Sequence, residues 1–128
     1  PFVTTVFIHS CNVKEKENNG NLSPCEAYES LDLEMLNTYE EIRKKYASNE
    51  NNTFRKRLNM SQVYWVQYRD RFIKALFPLD KEEYTDKQTY VDCKCKELSI
   101  LTKNRIIELS VWLDGDMNRI DCPTSILQ

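Results

Sequence analysis

Ser23-Pro24-Cys25-Glu26 opens the stretch SPCEAYESLDLEMLNTYEEIRKKY, residues Ser23–Tyr46, and this stretch decides the fold class. A serine followed three positions on by glutamate is a capping box, with proline at the first helical position where its missing N–H costs nothing. Cys25, Tyr28, Leu31, Met35, Tyr39, Ile42 and Tyr46 then recur at spacings of three and four, which lines one helical face. Acidic residues crowd the early turns and Arg43-Lys44-Lys45 the last, in the sense that the helix dipole favours. The pattern predicts a helix over 23–47, ended by the polar run Ser48-Asn49-Glu50-Asn51-Asn52.

Working outward, Phe54, Leu58, Trp65, Phe72 and Leu76, with Tyr68 alongside, keep the same period and predict a second helix over 53–76. Pro78 stops it, because proline pushes the preceding residue out of the helical region. The connector 78–88 holds two further capping patterns, Asp80 to Glu83 and Thr85 to Gln88. A third helix over 87–114 buries Leu98, Leu101, Ile106, Leu109 and Trp112 or Leu113, with Gly115 as its C-terminal cap. Residues 1–22 form an arm, apolar from Phe2 to Ile8 and then polar, and 115–128 a tail. Two glycines in 128 residues are too few for a turn-rich sandwich or barrel. The chain therefore reads as one all-α domain over 1–128. Short connectors make it an up-down-up three-helix bundle, with an N-terminal arm and a disulfide-tethered C-terminal tail.

Composition excludes much else. No apolar run is long enough to span a membrane. His9 is the only imidazole, so acid–base and metal chemistry have little material, and we expect no catalytic residues, no metal and no cofactor. Cys93-x-Cys95 lacks the two-residue gap of a zinc or redox pair. Asp114, Asp116 and Asn118 alternate like a calcium loop, but the loop's closing glutamate is absent. Charge is segregated: residues 1–41 balance to −6, residues 42–77 to +7 and residues 78–128 to −3. Acidic elements packed beside a basic one account for that, and no recognition motif accompanies the basic block, which argues against nucleic acid.

Three motifs are more specific. Leu36-Asn37-x-Tyr39 lies on the first helix, Gln62-x-x-Trp65-x-x-Tyr68-Arg69-Asp70 on the second, and Leu101-Thr102-x-x-Arg105-x-x-x-Leu109 on the third. In that order and spacing the chain resembles the lysozyme inhibitor LprI family over residues 11–113. The resemblance implies an exported helical protein, periplasmic, secreted or lipid-anchored. For some members it also implies inhibition of lysozyme. Similar proteins usually carry one cysteine where this chain has Ile73 and another where it has Glu97, so the family's bridge pattern does not transfer unchanged.

Asn37, Tyr39, Gln62, Trp65, Tyr68, Arg69, Asp70, Thr102 and Arg105 are read as an inter-helix network with Trp65 in the core, in preference to a partner-binding constellation. Arg69 and Arg105 offer forked donors and Asp70 a bidentate acceptor. The disulfide candidates are Cys11, Cys25, Cys93, Cys95 and Cys122. In an up-down-up bundle the first and third helices start at the same end, which pairs Cys25 with Cys93 or Cys95. Positions i and i+2 point roughly 200° apart on a helix, so Cys93 and Cys95 have different partners or one is free. Cys122, within ~23 Å of chain from Gly115, returns to Cys11 or to the remaining third-helix cysteine. The odd count leaves Cys11, Cys93 or Cys95 unpaired. Ile8-His9-Ser10-Cys11 has the outline of a lipoprotein cleavage box, but His9 and the missing hydrophobic stretch favour a disulfide-bonded or free Cys11.

Two functions follow. The first is a non-catalytic protein that binds a protein partner such as a lysozyme, plugging its cleft with the acidic arm or the 78–88 connector. The alternative is an envelope structural, accessory or immunity-type protein without a lysozyme target.

Overall fold

The capping box at the head of the first helix forms as written. Glu26 N donates to Ser23 Oγ at 3.2 Å, and the Ser23 amide donates to Glu26 Oε2 at 2.8 Å. The computed structural model describes residues 22–114, and every regular element among them is helical. α1 spans Pro24–Lys45, α2 Asn52–Leu76 and α3 Lys87–Asp114, with single 3-10 turns at Asn49–Asn51 and Lys81–Glu83. His9, Cys11, Gly115, Asp116, Asn118 and Cys122, with the arm and tail that carry them, lie outside the described residues.

Side-chain partners set the topology. Cys25 bonds Cys95 near the start of α1 and α3, while Lys45 and Tyr46 at the end of α1 both donate to the Trp112 carbonyl, at 2.7 and 3.1 Å. These two helices therefore run parallel, with their backbones close. α2 runs against both. Asn59, Gln62 and Arg69 meet Tyr39, Met35 and Asp32 in turn, climbing α2 while descending α1. Phe54, Gln62 and Phe77 meet Trp112, Arg105 and Tyr90 in the same antiparallel sense. This is the up-down-up bundle.

The core is small and aromatic. Met35, Tyr39, Ile42, Tyr46, Leu58 and Leu109 are buried together, with Phe54, Trp65, Ile106, Trp112 and Leu113 packed against them. Tyr46 meets Phe54 edge-on at 5.1 Å between centroids, and Phe54 tilts against Trp112 at 5.6 Å. The α2 stripe departs from its sequence reading at one point: Phe72 is 37% exposed and Ile73 is 3% exposed in its place. Steps of seven lag a straight α-helix by about 20° each. Two such steps from Leu58 carry Phe72 to the edge of the buried face and bring Ile73 inward.

The connector also differs in detail. The Asp80–Glu83 capping box is present. The next cap is Asp86 rather than Thr85: its carboxylate accepts from the Thr89 amide at 3.0 Å and the Thr89 hydroxyl at 2.7 Å. Those bonds, the amide first, hold the Asp86 carboxyl below its ordinary range. Gln88 bonds forward to Asp92 instead. Asp86 wins because a carboxylate at the cap bonds two donors and faces the positive end of the helix dipole.

The cysteines correct one expectation. Cys25 pairs with Cys95 across a Cα separation of 4.9 Å, within the normal range for a bridge. Cys93 is also disulfide-bonded, so neither third-helix cysteine is the odd thiol. Two residues apart on a helix, they face different neighbours, as the spacing requires.

Candidate functional site

The centre of the motif residues is Trp65, midway along α2. Two guanidiniums approach its ring, with Arg69 Cζ 5.3 Å and Arg105 Cζ 5.7 Å from the ring centroid. Arg69 sits one helical turn beyond Trp65, while Arg105 reaches in from α3. Arg69 also covers the Tyr28 ring on α1 at 5.6 Å, so its planar head binds aromatic faces from two helices.

Each guanidinium bonds several partners within the bundle. Arg69 Nη1 donates to Asp32 Oδ1 on α1 at 2.8 Å, and Arg69 Nε to Asp70 Oδ1 at 3.1 Å. Arg105 divides its donors among three partners: Gln62 Oε1 at 3.1 Å, Ser61 Oγ at 2.9 Å and Glu108 Oε2 at 3.0 Å. Gln62 continues the chain by donating to Met35 Sδ on α1. Three helices are thereby tied at one level through Arg69, Gln62 and Arg105.

Burial sets the electrostatics. The Arg69 and Arg105 side chains are only 8% and 10% exposed. Burial works against the Arg69 charge, but the hydrogen bonds to Asp32 and Asp70 and the field of Tyr28 outweigh it and raise its pKa. Burial also pushes the Tyr28 phenol up, with Arg69 opposing. Tyr39 is raised by burial too, against the pull of Arg43, and its hydroxyl is satisfied by Asn59 Oδ1 at 2.9 Å.

The motif residues do not all join this cluster. Asn37 lies on the exposed side of α1. Tyr68 is exposed and stacks on Phe72, with ring centroids 5.7 Å apart. Trp65 packs against the core but is only half-buried. Asp70 receives one bond from Arg69, not a bidentate pair, because Arg69 turns its fork toward Asp32. Thr102 is fully buried and its hydroxyl has no partner among the described residues.

A buried, unbonded hydroxyl is unfavourable by roughly 1–3 kcal/mol. Thr102→Val keeps the shape and removes that group. We expect its urea midpoint to rise, by about 1 kcal/mol of stability. A fall of that size would mean the hydroxyl is bonded in solution.

Sequence reasoning missed Asp32, Tyr28, Ser61 and Glu108. Glu108 was visible as the i+3 partner of Arg105, and Tyr28–Asp32 as an i,i+4 pair beside the apolar stripe. That Asp32 meets Arg69 depends on the α1–α2 register, which no local pattern encodes.

Beside the cluster an open groove of about 480 Å³ runs between α1 and α2, with Tyr28, Asp32, Leu36, Val66 and Arg69 among its walls. A second open recess, about 430 Å³, lies against the Cys25–Cys95 bridge. Among the described residues no group of three or more His, Cys, Asp or Glu side chains is placed to hold a metal ion. No helix among them is long and apolar enough to cross a membrane.

The family model described as lysozyme inhibitor LprI matches residues 11–109, most of the chain and all three motifs. The chain belongs to the LprI family. No curated protein and no solved structure matches it. Within this LprI chain the second and third motifs meet, Gln62 bonding Arg105 and Trp65 lying under it, while the first motif contributes Tyr39 to the adjoining core. At the positions where similar proteins usually carry cysteine, Ile73 is buried in α2 and Glu97 lies in α3. The Gln62–Arg105 and Phe77–Tyr90 contacts bracket both positions, which puts them at about the same height on neighbouring helices.

Proposed function

We propose that this LprI chain is an exported, non-catalytic protein that binds a lysozyme and blocks it sterically. The family match over residues 11–109 carries the reading. The geometry favours binding over chemistry, since the most unusual polar groups, Arg69 and Arg105, are committed to partners within the bundle. An inhibitor of this kind needs a firm scaffold that presents a projecting segment.

The connector between α2 and α3 is such a segment. Leu79 is exposed beside Pro78, and Asp80, Glu82 and Glu83 follow it. The Asp80–Glu83 capping box fixes the turn, while Tyr84 stacks on Tyr90 at 4.2 Å and Tyr90 meets Phe77 at 5.8 Å. A preorganised loop loses little conformational entropy on docking. Its carboxylates suit a basic lysozyme surface, and complementary charge mainly speeds the encounter.

A cell-wall turbidity assay tests this. Lysis should slow at near-stoichiometric protein with at least one lysozyme class. Leu79→Asp should weaken the effect by about tenfold, the cost of burying a charge at an apolar contact, with the melting temperature unchanged. Unchanged lysis at several-fold excess across lysozyme classes would sink the proposal.

A further inference from the structure

The outer face of α2 has a chemistry of its own. Asn52–Leu76 contains six basic residues and one acidic residue, in a chain of net charge −2. Of the six, Arg69 is buried in the cluster and Arg55 reaches the Ser48 carbonyl. Lys56, Arg57, Arg71 and Lys74 are exposed and form no ion pair among the described residues. The lone carboxylate, Asp70, is occupied by Arg69.

Between these cations run Met60, Tyr64, Tyr68 and Phe72, all exposed and spaced by four. Spacing of four makes one stripe along a helix. The two tyrosines are the most open, at 60% and 54% exposure. The stripe starts on the side of α2 opposite Leu58, Arg69 and Ile73, the residues it buries, and winds toward the flank. Exposed apolar and aromatic side chains in a contiguous row, rimmed by cations, mark an interaction surface.

We propose that this face docks the protein onto an anionic lipid bilayer. Charge complementarity supports that occupant, because four cations unpaired among the described residues stand on the face while the helix's one carboxylate, Asp70, is paired with Arg69, which suits a surface dense in phosphate. Shape supports it as well. A 25-residue helix is about 37 Å long, long enough for the stripe to lie along a bilayer surface. A single-stranded nucleic acid needs a groove to track its backbone. The two recesses described above lie elsewhere, between α1 and α2 and beside the disulfide.

The side chains match the layers of a membrane interface. Tyrosine places its ring at headgroup depth with the hydroxyl in water, and lysine and arginine stems lie along apolar surface with their charges at phosphate level. Met60 and Phe72 contribute purely apolar contact. This surface is separate from the connector proposed to meet lysozyme, so the two activities are independently testable.

Co-sedimentation with vesicles tests the docking. Vesicles of equal parts phosphatidylglycerol and phosphatidylcholine should bind the protein at least about tenfold better than phosphatidylcholine alone. Binding should collapse at about 0.5 M salt, where screening shortens the reach of the surface charge. Each basic residue near an anionic surface contributes about fivefold, so a Lys56→Gln, Arg57→Gln, Arg71→Gln, Lys74→Gln variant should bind more than about 100-fold more weakly. Tyr64→Ser with Tyr68→Ser should weaken binding by about tenfold at unchanged charge. A control with Lys44, Lys87, Lys94 and Lys103 changed to Gln carries the same net charge and should stay within about threefold of the parent. Helical circular dichroism confirms that each variant folds. Any of three results overturns the proposal: equal binding to neutral vesicles, equal loss in both charge variants, or tighter binding to poly-glutamate or a single-stranded oligonucleotide than to anionic vesicles.

Discussion

Replacing Cys25 and Cys95 together with alanine should lower the melting temperature by about 15 °C, the largest effect expected of any change in the described residues. The bridge joins positions 70 residues apart. In the chain-entropy account, closing a loop of that length stabilises the fold by about 4 kcal/mol. Domains of this size have total stabilities of only about 5–15 kcal/mol. The core offers little in compensation, since few large side chains are fully buried, Ile42 and Leu109 among them. The bridge also acts where it is needed. Around it α1 contributes only half-buried residues, Tyr28 and Leu31, whereas Tyr39, Ile42 and Tyr46 bury the other end. A paired substitution is preferable to reduction, because reduction also opens the bond at Cys93. A melt followed at the helical band gives the answer. A shift of less than about 3 °C would mean that side-chain packing and the bonds to the Trp112 carbonyl suffice to hold α1 to α3.

Arg69→Ala should be the next most damaging change, at about 3 kcal/mol. Removing one member of a buried ion pair ordinarily leaves the other charge stranded. Here the carboxylates of Asp32 and Asp70 are 43% and 56% exposed and recover water, which places the cost at the lower end. What remains is the loss of the plane that fills the space between Tyr28 and Trp65. Arg69→Met retains the apolar stem and should cost about half as much. Asp32→Ala should cost more than Asp70→Ala, because Asp32 alone of the two bridges α1 and α2. Urea melts of the four variants give the order, with tryptophan emission of a Trp112→Phe background reporting on the Trp65 environment. Equal costs for the two aspartates would show that Arg69 does not lock the helices together. An Arg69→Met variant that folds yet loses all action on lysozyme would place Arg69 at the partner surface instead.

Much of the fold was legible because its signals are local. The Ser23–Glu26 box, the Met35–Tyr39–Ile42–Tyr46 spacing and the stop at Pro78 concern residues within a turn or two of one another. The third helix was harder to read by face. It buries Thr102 on one side and Cys93 and Val111 almost opposite, so its apolar residues run around the circumference. The network was half legible: the types and faces of Gln62, Arg69 and Arg105 were evident, their partners were not. Thr102 escapes a local reading for a related reason. A hydroxyl in a polar-looking motif suggests a bond, yet only the packed neighbours decide whether an acceptor lies within reach.

By itself the sequence determined three helices and their approximate bounds, the capping box and buried face of the first, and the requirement that Cys93 and Cys95 look in different directions. Helical periodicity makes those properties of single segments. Tertiary structure decided the rest: Cys95 rather than Cys93 opposite Cys25, Asp32 rather than Asp70 as the inter-helix partner of Arg69, and Ile73 rather than Phe72 in the core. Each choice turns on the register and rotation of one helix against another. Many weak contacts set these jointly, and no short stretch of sequence records their sum.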